Sequence, residues 1–257
     1  MDRRRRMVRR ARVGFSGWVG AAVLCAVGLA CTAEQSVTAP DPEALSILFI
    51  GNSLTYYNDM PEMVRELLEE ADVGPVVVAS SSFPNYGLLD HWVDSRSRDA
   101  IDVGGWDHIL LQQGPSATEG RPWLLEYTLL FDDEIRAVGA TTGLYMVWPS
   151  AARDFDFDGV VESYTLAAES VDGLLFPGGQ VWRAIWSRDP TLQLYGPDGF
   201  HPSFLGSYVV ALTIADRLIG EQLTLDLILE TSAGRRTVDP ALGALLLEAV
   251  REVNGPL

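Results

Sequence analysis

No lysine occurs anywhere in the chain, cysteine occurs twice, and histidine three times, at His91, His108 and His201. The missing lysine removes Schiff-base chemistry and the phosphate-binding loop that ends in Gly-Lys-Ser/Thr. Cys25 and Cys31 both lie in the first 31 residues, so the rest of the chain has no disulfide framework and no thiolate metal site. Basic residues are as unevenly spread as cysteine. Seven of the 19 arginines precede Cys31, which leaves 12 against 34 acidic residues from there on, a net of −22. A surface that acidic repels phosphate backbones and anionic polymers, so nucleic acid is not an expected partner.

The arginine-rich start, Arg3 to Arg6 with Arg9, Arg10 and Arg12, is followed by an apolar stretch over 13–30 that ends in small residues. That order is the n-region, h-region and cleavage site of an export segment, here 1–31. Val27-Gly28-Leu29-Ala30-Cys31 resembles a bacterial lipobox, which implies lipidation at Cys31, although Gly28 stands where leucine is usual. An uncleaved anchor is the other reading, because the stretch is close to the shortest that spans a bilayer. Both readings place the domain outside the cytoplasm, in the cell envelope or secreted, with membrane contact only through an N-terminal lipid or signal anchor. Residues 32–44, rich in Thr, Ser, Ala, Pro and acidic side chains, read as a tether, and 45–257 as one catalytic domain.

Within that domain, apolar runs of strand length alternate with amphipathic segments of helix length, the pattern of a parallel sheet covered on both faces. The strands are expected at 46–50, 76–80, 108–112, 142–147 and 192–195. The helices are expected at 61–71, 88–98, 123–138, 160–171, 180–187, 203–219 and 240–253.

Two places carry chemistry. In Ile50-Gly51-Asn52-Ser53-Leu54 an apolar strand runs into a polar turn, which puts Ser53 at the carboxyl end of a strand, where open α/β sheets place ligands. By itself this is ordinary turn chemistry, and a flavodoxin-like phosphate loop looks similar. The second place is Asp198-Gly199-Phe200-His201-Pro202, just before a long helical segment. A serine hydroxyl needs an imidazole to accept its proton, and the imidazole needs a carboxylate to fix its tautomer. An aspartate three residues before a histidine supplies that carboxylate locally. His91 and His108 have no such partner and read as structural or surface residues.

Taken together, Gly51-Asn52-Ser53-Leu54 and Asp198-x-x-His201 resemble the first and last motifs of the SGNH, or GDSL-like, hydrolases, in that family's order. The resemblance runs from about residue 47 to about 218. It implies a three-layer α/β/α sandwich, flavodoxin-like, with about five parallel strands. It implies a serine esterase that forms an acyl-enzyme, with Ser53 as nucleophile, His201 as base and Asp198 as its orienter, and with no metal or organic cofactor. The family's second motif, an oxyanion-binding glycine, is matched by Gly87. Its third, usually Gly-x-Asn-Asp, is not matched: His108-Ile109-Leu110-Leu111-Gln112-Gln113-Gly114-Pro115-Ser116 contains no asparagine.

A glutamine amide can donate to an oxyanion, so Gln112 and Gln113 are the candidates there, with Ser116 a weaker third. Strand alternation allows only one of the two to face the site. Some branches of the family that act on O-acetyl groups look similar at this segment, which points to small-molecule or glycan esters as substrates. The missing asparagine keeps a second reading open, an inactive glycan-binding module of the same fold at the cell surface. Asp154-Phe155-Asp156-Phe157-Asp158-Gly159 imitates the start of a calcium loop, but Thr165 stands where that loop needs glutamate, so it reads as an acidic turn before a helix near Val160. Trp148, Trp182 and Trp186 could line a sugar cleft, yet their spacing suits a core.

Overall fold

The computed structural model describes residues 37–220, 223, 228–231 and 234–256. The export segment, Cys31 and the first part of the tether lie outside them. In chain order the elements are β1 (Leu45–Gly51), α1 (Ser53–Tyr56), α2 (Met60–Glu70), β2 (Val76–Ser82), α3 (Leu88–Asp94), α4 (Arg96–Asp102) and β3 (His108–Leu111). There follow α5 (Arg121–Ala137), β4 (Thr141–Tyr145), α6 (Phe157–Ser170), β5 (Leu174–Phe176), α7 (Gly178–Arg188), α8 (Phe204–Ile219), β6 (Ile228–Thr231), β7 (Gly234–Thr237) and α9 (Pro240–Asn254). Among the described residues no helix is long and apolar enough to cross a membrane.

Strands β1 to β5 form one parallel sheet in the order β2-β1-β3-β4-β5. Helices α2, α7, α8 and α9 pack together, as do α3, α4, α5 and α6, so the sheet is the middle of an α/β/α sandwich. Strand β1 is buried along nearly its whole length, which is why its sequence is a continuous apolar run rather than an alternating one. Chain order reverses between β1 and β3, and at such a switch point the loops on the carboxyl edge diverge and leave a crevice. Ser53 stands at that place.

Four expected strands are present within two residues at each end. The fifth is not. Residues 192–195 bury Leu194, but their one bridge joins Tyr195 to Pro202. The edge of the sheet is instead Leu174–Phe176, whose three residues are too short to leave a periodic trace. The helix expected over 88–98 is two helices, because Ser95 adopts a left-handed conformation (φ 68°). Asp94, just before that break, is held by the Arg96 guanidinium and the Tyr86 hydroxyl. The antiparallel pair β6 and β7 was not expected. In the acidic segment, α6 starts at Phe157 rather than near Val160, and the carboxylates of Asp156 and Asp158 pair with Arg153 and Arg183. Trp148 and Trp182 are fully buried and stacked, with ring centroids 3.6 Å apart, and Trp186 meets Trp182 edge-on, so these indoles belong to the core.

This indole cluster anchors the segment that precedes α8. A β-carbon added at Gly206 would lie 2.2 Å from the Leu194 carbonyl oxygen and 2.6 Å from the Trp182 ring. That carbonyl already accepts the Ser203 amide. Gly206→Ala should therefore destabilise the fold by about 1–3 kcal/mol, the usual cost of forcing a tight contact apart. Urea unfolding checks this, and an unchanged midpoint would contradict the packing described.

Candidate active site

The turn after β1 is built around Asn52. Its side-chain oxygen accepts the Leu54 amide and caps α1, while its Nδ2 donates to the Tyr86 carbonyl on the neighbouring loop. Its own amide donates to Gln112 Oε1 at 2.8 Å, and the Thr55 hydroxyl donates to the same oxygen at 2.8 Å. Both partners are donors, so the atom facing them is the carboxamide oxygen. Gly51 admits this approach, because a β-carbon there would sit 2.5 Å from Gln112 Oε1 and 2.3 Å from Thr55 Oγ1. Ser53 is consequently the first residue of α1, and its amide belongs to the helix-start donors that have no acceptor within the helix.

A second set of bonds holds the same turn from behind. His91 is fully buried, with Nε2 2.9 Å from the Gly51 carbonyl and Nδ1 2.7 Å from Ser97 Oγ, which in turn lies 2.8 Å from Ser81 Oγ. The carbonyl can only accept, so Nε2 carries the proton. The hydroxyl protons then run from Ser81 to Ser97 to His91. Burial pushes the His91 pKa down to about 4, which keeps the ring neutral.

The loop before α8 delivers the other half of the site. Asp198 Oδ1 accepts the amides of Phe200 and His201, each at 3.0 Å, and Oδ2 lies 2.6 Å from His201 Nδ1. One carboxylate oxygen thus folds the loop and the other orients the ring. The His201 hydrogen bond, followed by the Phe200 amide, lowers the Asp198 pKa to about 2. The loop is tied down by Gly196 N–H to the His201 carbonyl at 2.7 Å, by Trp148 Nε1–H to the Phe200 carbonyl at 2.9 Å and by Tyr195 OH to the Pro149 carbonyl at 2.7 Å. His201 Nε2 then lies 2.9 Å from Ser53 Oγ. Asp198, His201 and Ser53 form one line of hydrogen bonds at the carboxyl edge of the sheet.

Five-stranded parallel sandwiches of this kind are found among known structures. A candidate SGNH hydrolase from Slackia heliotrinireducens superposes with a TM-score of 0.57 at 26% identity, over 67% of this chain and 98% of that one. The fold is that of the SGNH hydrolases. A lipase/acylhydrolase from Enterococcus faecalis matches it at TM-score 0.55 and 14% identity, over 70% of this chain and 98% of that one. A catalytic mutant of an acetylxylan esterase from Geobacillus stearothermophilus matches at 0.55 and 14%, over 75% and 100%. No family model matches the sequence, and no curated protein matches it.

The oxyanion side of this SGNH fold differs from the expectation. Gln112 is fully buried, and its Nε2 donates inward to the Gln113 carbonyl. Gln113 Oε1 accepts the Leu88 amide, and its Nε2 donates to Ser116 Oγ and the Gly120 carbonyl. Neither carboxamide is turned toward the crevice. Both glutamines instead brace the backbone, one behind Asn52 and the other at the start of α3, a role that strand alternation could not reveal. Gly87 does stand at the start of α3, but its amide donates to Asp90 Oδ2 at 2.8 Å. Of the other histidines, His108 begins β3, at the opposite end of that strand from Gln112. The supporting parts of Asn52 and His91 were not anticipated; the Asn-Ser order just before a helix was the available sign for the first.

The His91 relay has a pH signature. The unfolded chain binds a proton at His91 below about pH 6.5 and the folded protein only near 4, so stability is complete above 6.5 and is lost as the pH falls toward 4. At ~1.36 kcal/mol per unit the loss is about 3 kcal/mol. His91→Gln should flatten the change in urea midpoint between pH 7 and 4.5, and an unaltered slope in that variant would rule the relay out.

Proposed function

We propose that this protein is a serine ester hydrolase in which Ser53, His201 and Asp198 carry out acyl transfer. The observation that carries the reading is the unbroken line from Asp198 Oδ2 through the His201 ring to Ser53 Oγ, at 2.6 and 2.9 Å. His201 Nδ1–H is committed to Asp198, which leaves Nε2 unprotonated and facing the hydroxyl. As Ser53 Oγ attacks the ester carbonyl, its proton passes to Nε2, and Asp198 stabilises the imidazolium that forms. Collapse of the tetrahedral intermediate expels the alcohol, which takes that proton, and leaves an acyl-Ser53. Water, deprotonated by the same nitrogen, then releases the acid and restores Ser53.

The negative charge on the intermediate's oxygen needs donors that are already in place. The Ser53 amide at the start of α1 is one. The Gly87 amide is the second candidate, but it already donates to Asp90 Oδ2 and would serve only if that carboxylate released it. Gln112 and Gln113 act indirectly, by fixing the backbone that carries these two amides. No metal ion or organic cofactor enters the scheme.

Acetyl groups on carbohydrate are the substrate class we favour. Two open depressions adjoin the His201 loop. One, of about 330 Å³, has Phe200 beside Ser116, Glu119, Arg153 and Asp156, an apolar ring face among charged and hydroxyl groups that suits a sugar. The other, of about 690 Å³, is lined by Tyr57, Gln193, Tyr195 and Phe204. The arginine-rich start, the apolar stretch and Cys31 support a location in the cell envelope, by lipidation at Cys31 or by secretion. Mass spectrometry of the mature N-terminus tests this, and a mature end other than a lipid-modified Cys31 would exclude the lipoprotein form.

A fluorophosphonate probe should label the wild type, and Ser53→Ala should abolish both labelling and p-nitrophenyl acetate hydrolysis. Acetylated xylo-oligosaccharides should be turned over faster than long-chain esters. No labelling, under conditions in which a known serine hydrolase reacts, would remove the enzyme reading and favour a glycan-binding module.

A further inference from the structure

We propose that Tyr57 is a positioning residue that fixes the plane of the His201 ring, an inference that rests on the hydrolase reading above. The two hydrogen bonds of His201 lie in the plane of the imidazole. They set its direction but restrain rotation about the line joining the two nitrogens only weakly, because a small tip leaves both angles within the favourable range. The missing restraint comes from the faces. Tyr57 stacks on the ring with centroids 4.5 Å apart and planes 20° from parallel, and Phe200 approaches at 5.4 Å and 69°. Tyr57 is 41% exposed, so packing into the core does not explain its placement.

The backbone that presents Tyr57 is costly. Asn58 (φ 56°) and Asp59 (φ 56°) are successive left-handed residues, and neither is glycine. Such conformations persist where the surroundings hold them. Here Asn58 Nδ2 donates to the Pro202 carbonyl at 3.2 Å and to Ser207 Oγ at 2.9 Å, and the Ser207 hydroxyl donates to the Tyr57 carbonyl at 3.3 Å. The segment that leaves the nucleophile helix is therefore fastened to the residue that follows His201, while Tyr57 covers the ring itself. The two halves of the site, 148 residues apart, are joined by this strap as well as by the bond between Ser53 and His201.

The stack uses the ring face and not the hydroxyl, so phenylalanine should replace tyrosine. Expected for Tyr57→Ala is a fall of about tenfold in kcat and in the rate of fluorophosphonate labelling, with KM for p-nitrophenyl acetate within about twofold and an unchanged melting temperature. Tyr57→Phe should restore both rates. Wild-type rates in Tyr57→Ala, or a Tyr57→Phe variant as slow as Tyr57→Ala, would overturn the proposal while leaving the hydrolase reading intact. A readout independent of turnover is the low-field proton resonance of the Asp198–His201 hydrogen bond, assigned by its loss in His201→Gln. It should broaden in Tyr57→Ala and stay sharp in Tyr57→Phe. If the wild type is not labelled at all, the hydrolase reading fails and this resonance alone decides, with equal line widths in all three proteins overturning the role given to Tyr57.

Discussion

Ser53 Oγ and His201 Nε2 are 148 residues apart along the chain and 2.9 Å apart in space, and most of what is distinctive around the crevice serves to hold that gap. In the hydrolase proposed above, a longer separation would part the serine from its base, and a serine without a base is a weak nucleophile. On the serine side the gap is set by how the backbone is held: by the register of β1 against β3, the side-chain oxygen of Gln112 behind Asn52, and the His91 ring on the Gly51 carbonyl. On the histidine side it is set by a loop that folds around one carboxylate and leans on the buried indole of Trp148.

The three histidines show how environment divides one side chain into different tasks. His91 is sealed among Ser97, Gly51 and aromatic rings, and burial keeps it neutral, so it works as a fixed donor and acceptor. His108, also depressed by burial, sits at the far edge of the sheet and takes no part in the crevice. His201 is partly exposed and lies between the Asp198 carboxylate and the Ser53 hydroxyl, the only one of the three that borders the crevice among the described residues.

The fold, and the pairing of Asp198 with His201, were largely legible in the sequence because they rest on local signals. Four of the five parallel strands left apolar runs, and Asp198 lies close enough to His201 for one turn to join them. What escaped detection depended on distance or brevity. β5 is three residues long. The break at Ser95 is a single left-handed residue, next to an Asp94 that Tyr86 and Arg96 hold. The glutamines pointed to an oxyanion role by composition, whereas their direction is set by the amides of Asn52 and Leu88, 60 and 25 residues away. Tyr57 has no motif at all, and only the folded chain brings it over an imidazole.

Asp198 and His201 share one short loop, and this has a mechanical consequence. When base and orienter come from separate elements, any relative motion disturbs both contacts at once. Here a rigid displacement of the loop would carry the pair along intact, with the carboxylate still seated on Nδ1, and would change a single coordinate, the opening between imidazole and serine. For the hydrolase proposed above, the half that would accept the proton is a preassembled cartridge, and arming the site reduces to docking that cartridge against the end of β1.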